Sequence, residues 1–202
     1  MRRLLALAVV GAIVVGCIPP RPSPVPSVAP TASVAPAASA TPVPSLAPDG
    51  VTVDSTLLAL LPAAVGGVPL VEDAETAAAI AAEGSIAPFV SAIALARAFG
   101  PQSTDTAGDY VVATVARLRP GTFGSIFYRG WRDTFDAAVC EQAGGVDGHA
   151  EADIAGHQTF IGTCAGGVHT YHVHLPASDV IVSMQAAGDG RYGERVVEGL
   201  TE

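Results

Sequence analysis

The chain has 202 residues, half of them hydrophobic, and carries ten arginines and no lysine against nineteen carboxylates, a formal charge of −9. An acidic balance repels phosphate backbones, which argues against nucleic-acid binding. The missing lysine excludes the P-loop lysine, Schiff-base chemistry and a pyridoxal phosphate linkage.

The first segment has the parts of an export signal: Arg2 and Arg3, an apolar run from Leu4 to Val15, then a small residue. The apolar run is shorter than the roughly 20 residues a membrane-spanning helix needs. Its end, Val14-Val15-Gly16-Cys17, resembles the bacterial lipobox, in which the leader is cut before a cysteine that receives acyl chains such as palmitate. The resemblance implies a signal peptide over 1–16 and a lipid anchor on Cys17. The alternative is an ordinary signal peptide with a chance cysteine. Two or more acyl chains hold stably in a bilayer where one does not. From Ile18 to Gly50 the chain holds ten of its sixteen prolines among Ala, Ser, Val and Thr. Such composition buries no core and favours extended, solvated backbone. Residues 17–50 are therefore expected to form a disordered tether, which the Ser/Thr/Pro content makes open to O-glycosylation.

Residues 51–202 are long enough for one globular domain, with seven arginines against eighteen carboxylates. Asp54 or Ser55 is expected to cap a short helix through "TLLALLP", and Asp73 a second through "AETAAAIAAEG". "SIAPFVSAIALARAFG" reads as a third helix, apolar around most of its circumference and so buried rather than membrane-spanning. "PQSTDTAGD" reads as a loop and "YVVATVARLR" as a strand. From Thr122 a long amphipathic helix is expected, with Phe123, Phe127, Trp131, Phe135 and Val139 along one apolar seam that ends at Gly144-Gly145. Strands follow over 148–155, 157–164, 168–175 and 179–186, then a last helix over 191–200. The expected fold is α+β: N-terminal helices, then an antiparallel β-meander packed against the long amphipathic helix, and a C-terminal helix.

Cys140 and Cys164 are the cysteines left once Cys17 is assigned to lipid. In an exported chain such an even pair is expected to form a disulfide, two buried free thiols being the alternative. Neither belongs to a Cys-x-x-Cys pair, which disfavours a catalytic thiol.

All five histidines lie between 149 and 174. Alternation along a strand sends Tyr171, Val173 and Leu175 to the core and His172 and His174 outward, and puts His149, Glu151 and Asp153 on one side. If these strands form a meander, the two groups flank His157 and Thr159 on a solvent-facing sheet surface. Imidazole with carboxylate suits Zn²⁺ or Cu²⁺. His172 and His174, completed by His149 and Glu151, are thus the candidate metal ligands, set against a polar sheet face with no cofactor.

Gly188-Asp189-Gly190-Arg191-Tyr192-Gly193 matches G-x-G-x-x-G, but no strand pattern follows it as a dinucleotide site requires, and it reads as a turn into the last helix. G-x-S-x-G and H-E-x-x-H are absent, and Ser125 is a lone serine on a helix. With its tether, "LLPAAVGGVPL", the Phe/Trp helix and "HQTFIGTC", the chain resembles poorly characterised bacterial lipoproteins with a compact extracytoplasmic domain. That resemblance implies a membrane-anchored, non-catalytic module binding an envelope protein or a small-molecule ligand. A Zn- or Cu-binding envelope lipoprotein and a hydrolase without recognisable motif are the alternatives.

Overall fold

The computed structural model describes residues 50–101 and 108–202. The leader, Cys17, the tether and most of the loop expected at 101–109 lie outside the described residues.

Asp54 accepts from the backbone N–H of Thr56 and opens a 3₁₀ turn over Ser55–Leu60; Asp73 accepts from Thr76 N–H and opens α1 over Ala74–Ala82. Both are N-cap bonds that satisfy amides a helix start leaves unpaired. Short strands β1 (Thr52–Val53), β2 (Ala64–Val65), β3 (Val68–Pro69) and β4 (Val71–Glu72) surround these turns. The long strands are β5 (Val90–Phe99), β6 (Tyr110–Leu118), β7 (Val146–Ile154), β8 (His157–Cys164), β9 (His169–Leu175) and β10 (Val180–Ala187). Helix α2 (Ser125–Glu141) connects β6 to β7, and α3 (Tyr192–Glu198) follows β10.

The third expected helix is instead the strand β5. Its alanines 92, 94, 96 and 98 face the larger core, while Ile93 and Leu95 point the other way and are equally buried. A strand covered on both faces is apolar throughout and cannot be told from a buried helix by periodicity. The alanines add helix propensity, which the tertiary packing overrides.

One sheet runs in the order β1-β5-β6-β10-β9-β8-β7, with β4 also paired to β5. All these pairings are antiparallel except β1 with β5. The architecture is α+β, with strands β7 to β10 as consecutive antiparallel neighbours. On one face Leu57 and Leu61 of the 3₁₀ segment and Tyr192, Val196, Val197 and Leu200 at α3 pack on Val111, Val115, Val173, Val182 and Met184. Gly193 lets α3 sit this close, since a Cβ there would collide with the Tyr171 ring. The opposite face carries α2, whose Phe127, Tyr128 and Trp131 pack around Val90, Ala116, Leu118 and Ile181. Cys140 of α2 is disulfide-bonded to Cys164 of β8, with a Cα–Cα distance of 5.1 Å.

Candidate functional site

The strand register decides which side chains meet under α2. Glu151 pairs with Phe160, Phe160 with His172 and His172 with Ser183, so these four lie in line across one face. His149, Gly162 and Thr170 form the next line on that face. His149, Glu151, His172 and His174 therefore do share a face, as alternation implies. α2 covers that face at β9, however, where His172 is fully buried, while His149 and Glu151 on the edge strand β7 stay exposed. His157 and Thr159 are on the other face, because the antiparallel register sets Thr159 opposite Ala152 and Val173.

A second stripe of α2, Tyr128, Arg132, Asp136 and Cys140, runs beside the aromatic seam and faces this sheet surface. The disulfide fixes its phase: Cys140 must face β8, and residues four apart lie on the same side of a helix. Asp136 is buried and accepts from His172 Nε2 at 2.9 Å and from Thr170 Oγ1 at 2.5 Å. Gly162 makes the approach possible, since a Cβ there would lie 2.8 Å from Asp136 Oδ2 and closer still to Thr170. His149 Nε2 is 3.2 Å from Oδ2, an ion-pair distance without hydrogen-bond alignment, so Oδ2 has no hydrogen-bond partner among the described residues. Burial alone would raise the pKa of Asp136. Hydrogen bonds from His172 and Thr170 and the charges of His172 and His149 outweigh it and hold the carboxyl below its ordinary value.

The chain of bonds continues inward. His172 Nδ1 is 3.0 Å from Ser183 Oγ, which accepts from Trp131 Nε1 at 2.9 Å. Indole nitrogen only donates and the carboxylate only accepts, so in its neutral form the ring carries its proton on Nε2 and accepts a hydrogen bond from the Ser183 hydroxyl at Nδ1. A serine, a histidine and an aspartate are thus connected in series, the connectivity of a nucleophilic triad. Ser183 is buried and its oxygen is held between Trp131 and His172, so no substrate reaches it. The series is a buried polar core that locks α2 to the sheet, with Asp136 Oδ2 its one atom left without a hydrogen bond among the described residues.

Alongside it a cleft of about 650 Å³ opens between the N-terminal half of α2 and the ends of β7, β8 and β9, lined among others by Phe123, Tyr128, Arg132, Glu151, Phe160 and His174. Arg132 lies 3.5 Å over the Phe160 ring centroid and 5.0 Å from that of Tyr128, with Glu151 at 4.0 Å. Its Nε is buried and without a hydrogen-bond partner among the described residues. Phe123 and His174 stack at 3.5 Å with their planes within 7°, and His174 Nε2 is 3.6 Å from Asp179. Burial raises the Tyr128 hydroxyl from 10.0 to about 12, with Arg132 pulling it down and Glu151 pushing it up.

The expected metal ligands are thus each engaged separately: both ring nitrogens of His172 in the buried series, His149 beside Asp136, Glu151 beside Arg132, and His174 between Phe123 and Asp179. Among the described residues no group of three or more His, Cys, Asp or Glu side chains is arranged to hold a metal ion. The glycine-rich stretch encloses a carboxylate of its own chain: Gly190 N–H donates to Asp109 Oδ1 at 2.7 Å, and a Cβ at Gly188 or Gly190 would strike Asp109. Ser125 lies at the start of α2 on the cleft rim. Arg132, Asp136, Thr170 and Ser183 are the participants that pattern reading misses; phasing α2 on Cys140 would have found the first two. Comparison with protein-family models, curated proteins and solved structures returns no match.

Proposed function

We propose that the chain is a membrane-anchored extracytoplasmic lipoprotein whose globular domain binds a ligand non-catalytically in the cleft between α2 and strands β7 to β9. The observation that carries the binding part is the contrast between two neighbouring sites. The serine–histidine–aspartate series is closed on every side by protein, while the adjacent cleft is open, roomy and walled by aromatic rings around a few polar groups. Sites for small molecules have that composition. The anchor rests on the leader that stops at Cys17, and the Cys140–Cys164 disulfide suits an oxidising compartment outside the cytoplasm.

The test is purification of the full-length protein from its native membrane, followed by native mass spectrometry, elemental analysis and lipid analysis of the N-terminal peptide. A diacylated or triacylated Cys17 and an organic molecule released on denaturation support the reading. A stoichiometric metal would favour a Zn or Cu protein instead. A Cys17→Ser chain that still fractionates with membranes and carries lipid would overturn the anchor.

A further inference from the structure

Arg132 is unusual in a domain so rich in carboxylates. Its side chain is 12 % exposed, its Cζ lies 3.5 Å over the Phe160 ring centroid, and it meets only the edge of ion-pair range with Glu151, whose side chain is 63 % exposed. A guanidinium presents five N–H donors in a rigid fork, and a single carboxylate at 4.0 Å leaves that fork unsaturated. Its position between the Phe160 and Tyr128 rings restricts the side chain, so less freedom remains to be lost when a second partner binds.

Arg129, one turn earlier on α2, adds a second cation to the lining and Gln158 at the start of β8 an amide, alongside the carboxylates of Glu151 and Glu202. The first turn of α2 also opens here at Ser125, and its N-cap, Gly124, offers no side chain to its free amides. A helix start favours negative charge, and here it reinforces two arginines. The rings of Phe160, Tyr128 and the stacked Phe123–His174 pair also line the cleft.

We infer that the cleft binds a planar, aromatic or otherwise unsaturated organic carboxylate, its anionic end on the Arg132 guanidinium in place of Glu151 and its flat body against the aromatic walls. The inference rests on the proposed binding role of this cleft and specifies its ligand class. An aromatic carboxylate fits both halves of the cleft: the oxygens match the fork, and the ring matches the stacked walls. Glu151 occupies the guanidinium loosely in the free protein and is displaced toward solvent on binding.

The experiment is calorimetric titration of the full-length chain with three probes of one shape: 2-naphthoate, 2-naphthamide and 2-naphthylmethylamine. Naphthoate is expected to bind at least about tenfold more tightly than the amide, the worth of a charge-assisted hydrogen bond, and the amine weakest. Arg132→Gln should remove that preference. Because Arg132 also packs on Phe160, an exposed substitution supplies the independent check: Glu151→Gln frees the guanidinium and should tighten naphthoate several-fold while leaving the amide unchanged. Equal or tighter binding of the amide or amine overturns the carboxylate class and leaves the cleft a binding site. Naphthoate binding indifferent to both substitutions also overturns it. Failure of all three probes to bind removes both the ligand class and the cleft's proposed role.

Discussion

Asp136 on α2 and His172 on β9, 36 residues apart in sequence, meet as a buried carboxylate–imidazole pair with 2.9 Å between Oδ1 and Nε2. The pair holds a helix whose polar stripe would otherwise be stranded against a sheet. Thr170 takes up a further lone pair of Oδ1, and Ser183 and Trp131 satisfy the far side of the ring. Buried polar groups so connected specify one register of helix on sheet, because a slip would leave several of them unpaired at once.

The carboxylate of Asp136 should make stability depend on acid. Its pKa is depressed by folding, so its contribution is complete above the ordinary value of 3.8 and is lost as pH falls through the lower folded value. Asp136→Asn keeps the volume and one acceptor oxygen, and is expected to cost about 1–3 kcal/mol at neutral pH. Urea midpoints measured from pH 7 to pH 2 should fall more steeply below 3.8 for the wild type than for the variant, so that the two curves converge. Asp54, held low by the Thr56 hydroxyl and amide, and Asp73, held low by the Thr76 amide and hydroxyl, titrate alike in both proteins and cancel in the difference. Parallel curves would show that Asp136 has no depressed pKa.

Ser183→Ala separates a polar core from a nucleophile. The substitution leaves Trp131 Nε1 and His172 Nδ1 without their shared partner, and a loss of about 1–3 kcal/mol in chemical unfolding is expected. Hydrolysis of an activated ester such as p-nitrophenyl acetate should be unchanged from the wild-type background. A turnover that disappears with Ser183 would mean that α2 opens far enough to expose the series.

Much of the backbone was readable because its signals are local. Asp54 and Asp73 mark their helix starts by side-chain chemistry, and β8, β9 and β10 lie within a residue or two of the expected runs, bounded by Gly, Pro and Asp turns. Strand β5 reads as a helix in sequence because burial on both faces erases the period that distinguishes the two. The site was legible only in part. Alternation correctly groups His149, Glu151, His172 and His174, but whether a sheet face meets water depends on what crosses over it. The aromatic seam is the stronger periodic signal on α2 and masks the neighbouring stripe Tyr128, Arg132, Asp136, Cys140, which holds the chemistry. Only the long-range Cys140–Cys164 bond indicates that this stripe faces inward.

Breaking that bond should loosen the helix at its C-terminal end. For a loop of 24 residues' separation the chain-entropy argument gives about 3–4 kcal/mol. Reduction, or the double substitution Cys140→Ala, Cys164→Ala, should lower the denaturant midpoint accordingly without changing fractionation with membranes. Alkylation of both thiols in the folded, oxidised protein would contradict the pairing.

Tyr128 reports on the cleft itself. Its hydroxyl is pushed up to about 12, chiefly by burial, so the phenol stays neutral well beyond its ordinary value of 10.0. A raised phenol contributes stability that is complete below 10.0 and is lost as pH rises from there toward 12. Burial also raises Tyr110 and Tyr171, so ultraviolet titration of the folded wild type should show late tyrosinate components, and Tyr128→Phe should remove one of them while leaving the others in place. Glu151→Gln takes away a negative charge that favours the neutral phenol, and should move the same component to lower pH. Late absorbance undiminished by Tyr128→Phe, or a Tyr128 component that does not respond to Glu151→Gln, would place Tyr128 outside the shared electrostatics of Arg132 and Glu151 on which the cleft's chemistry depends.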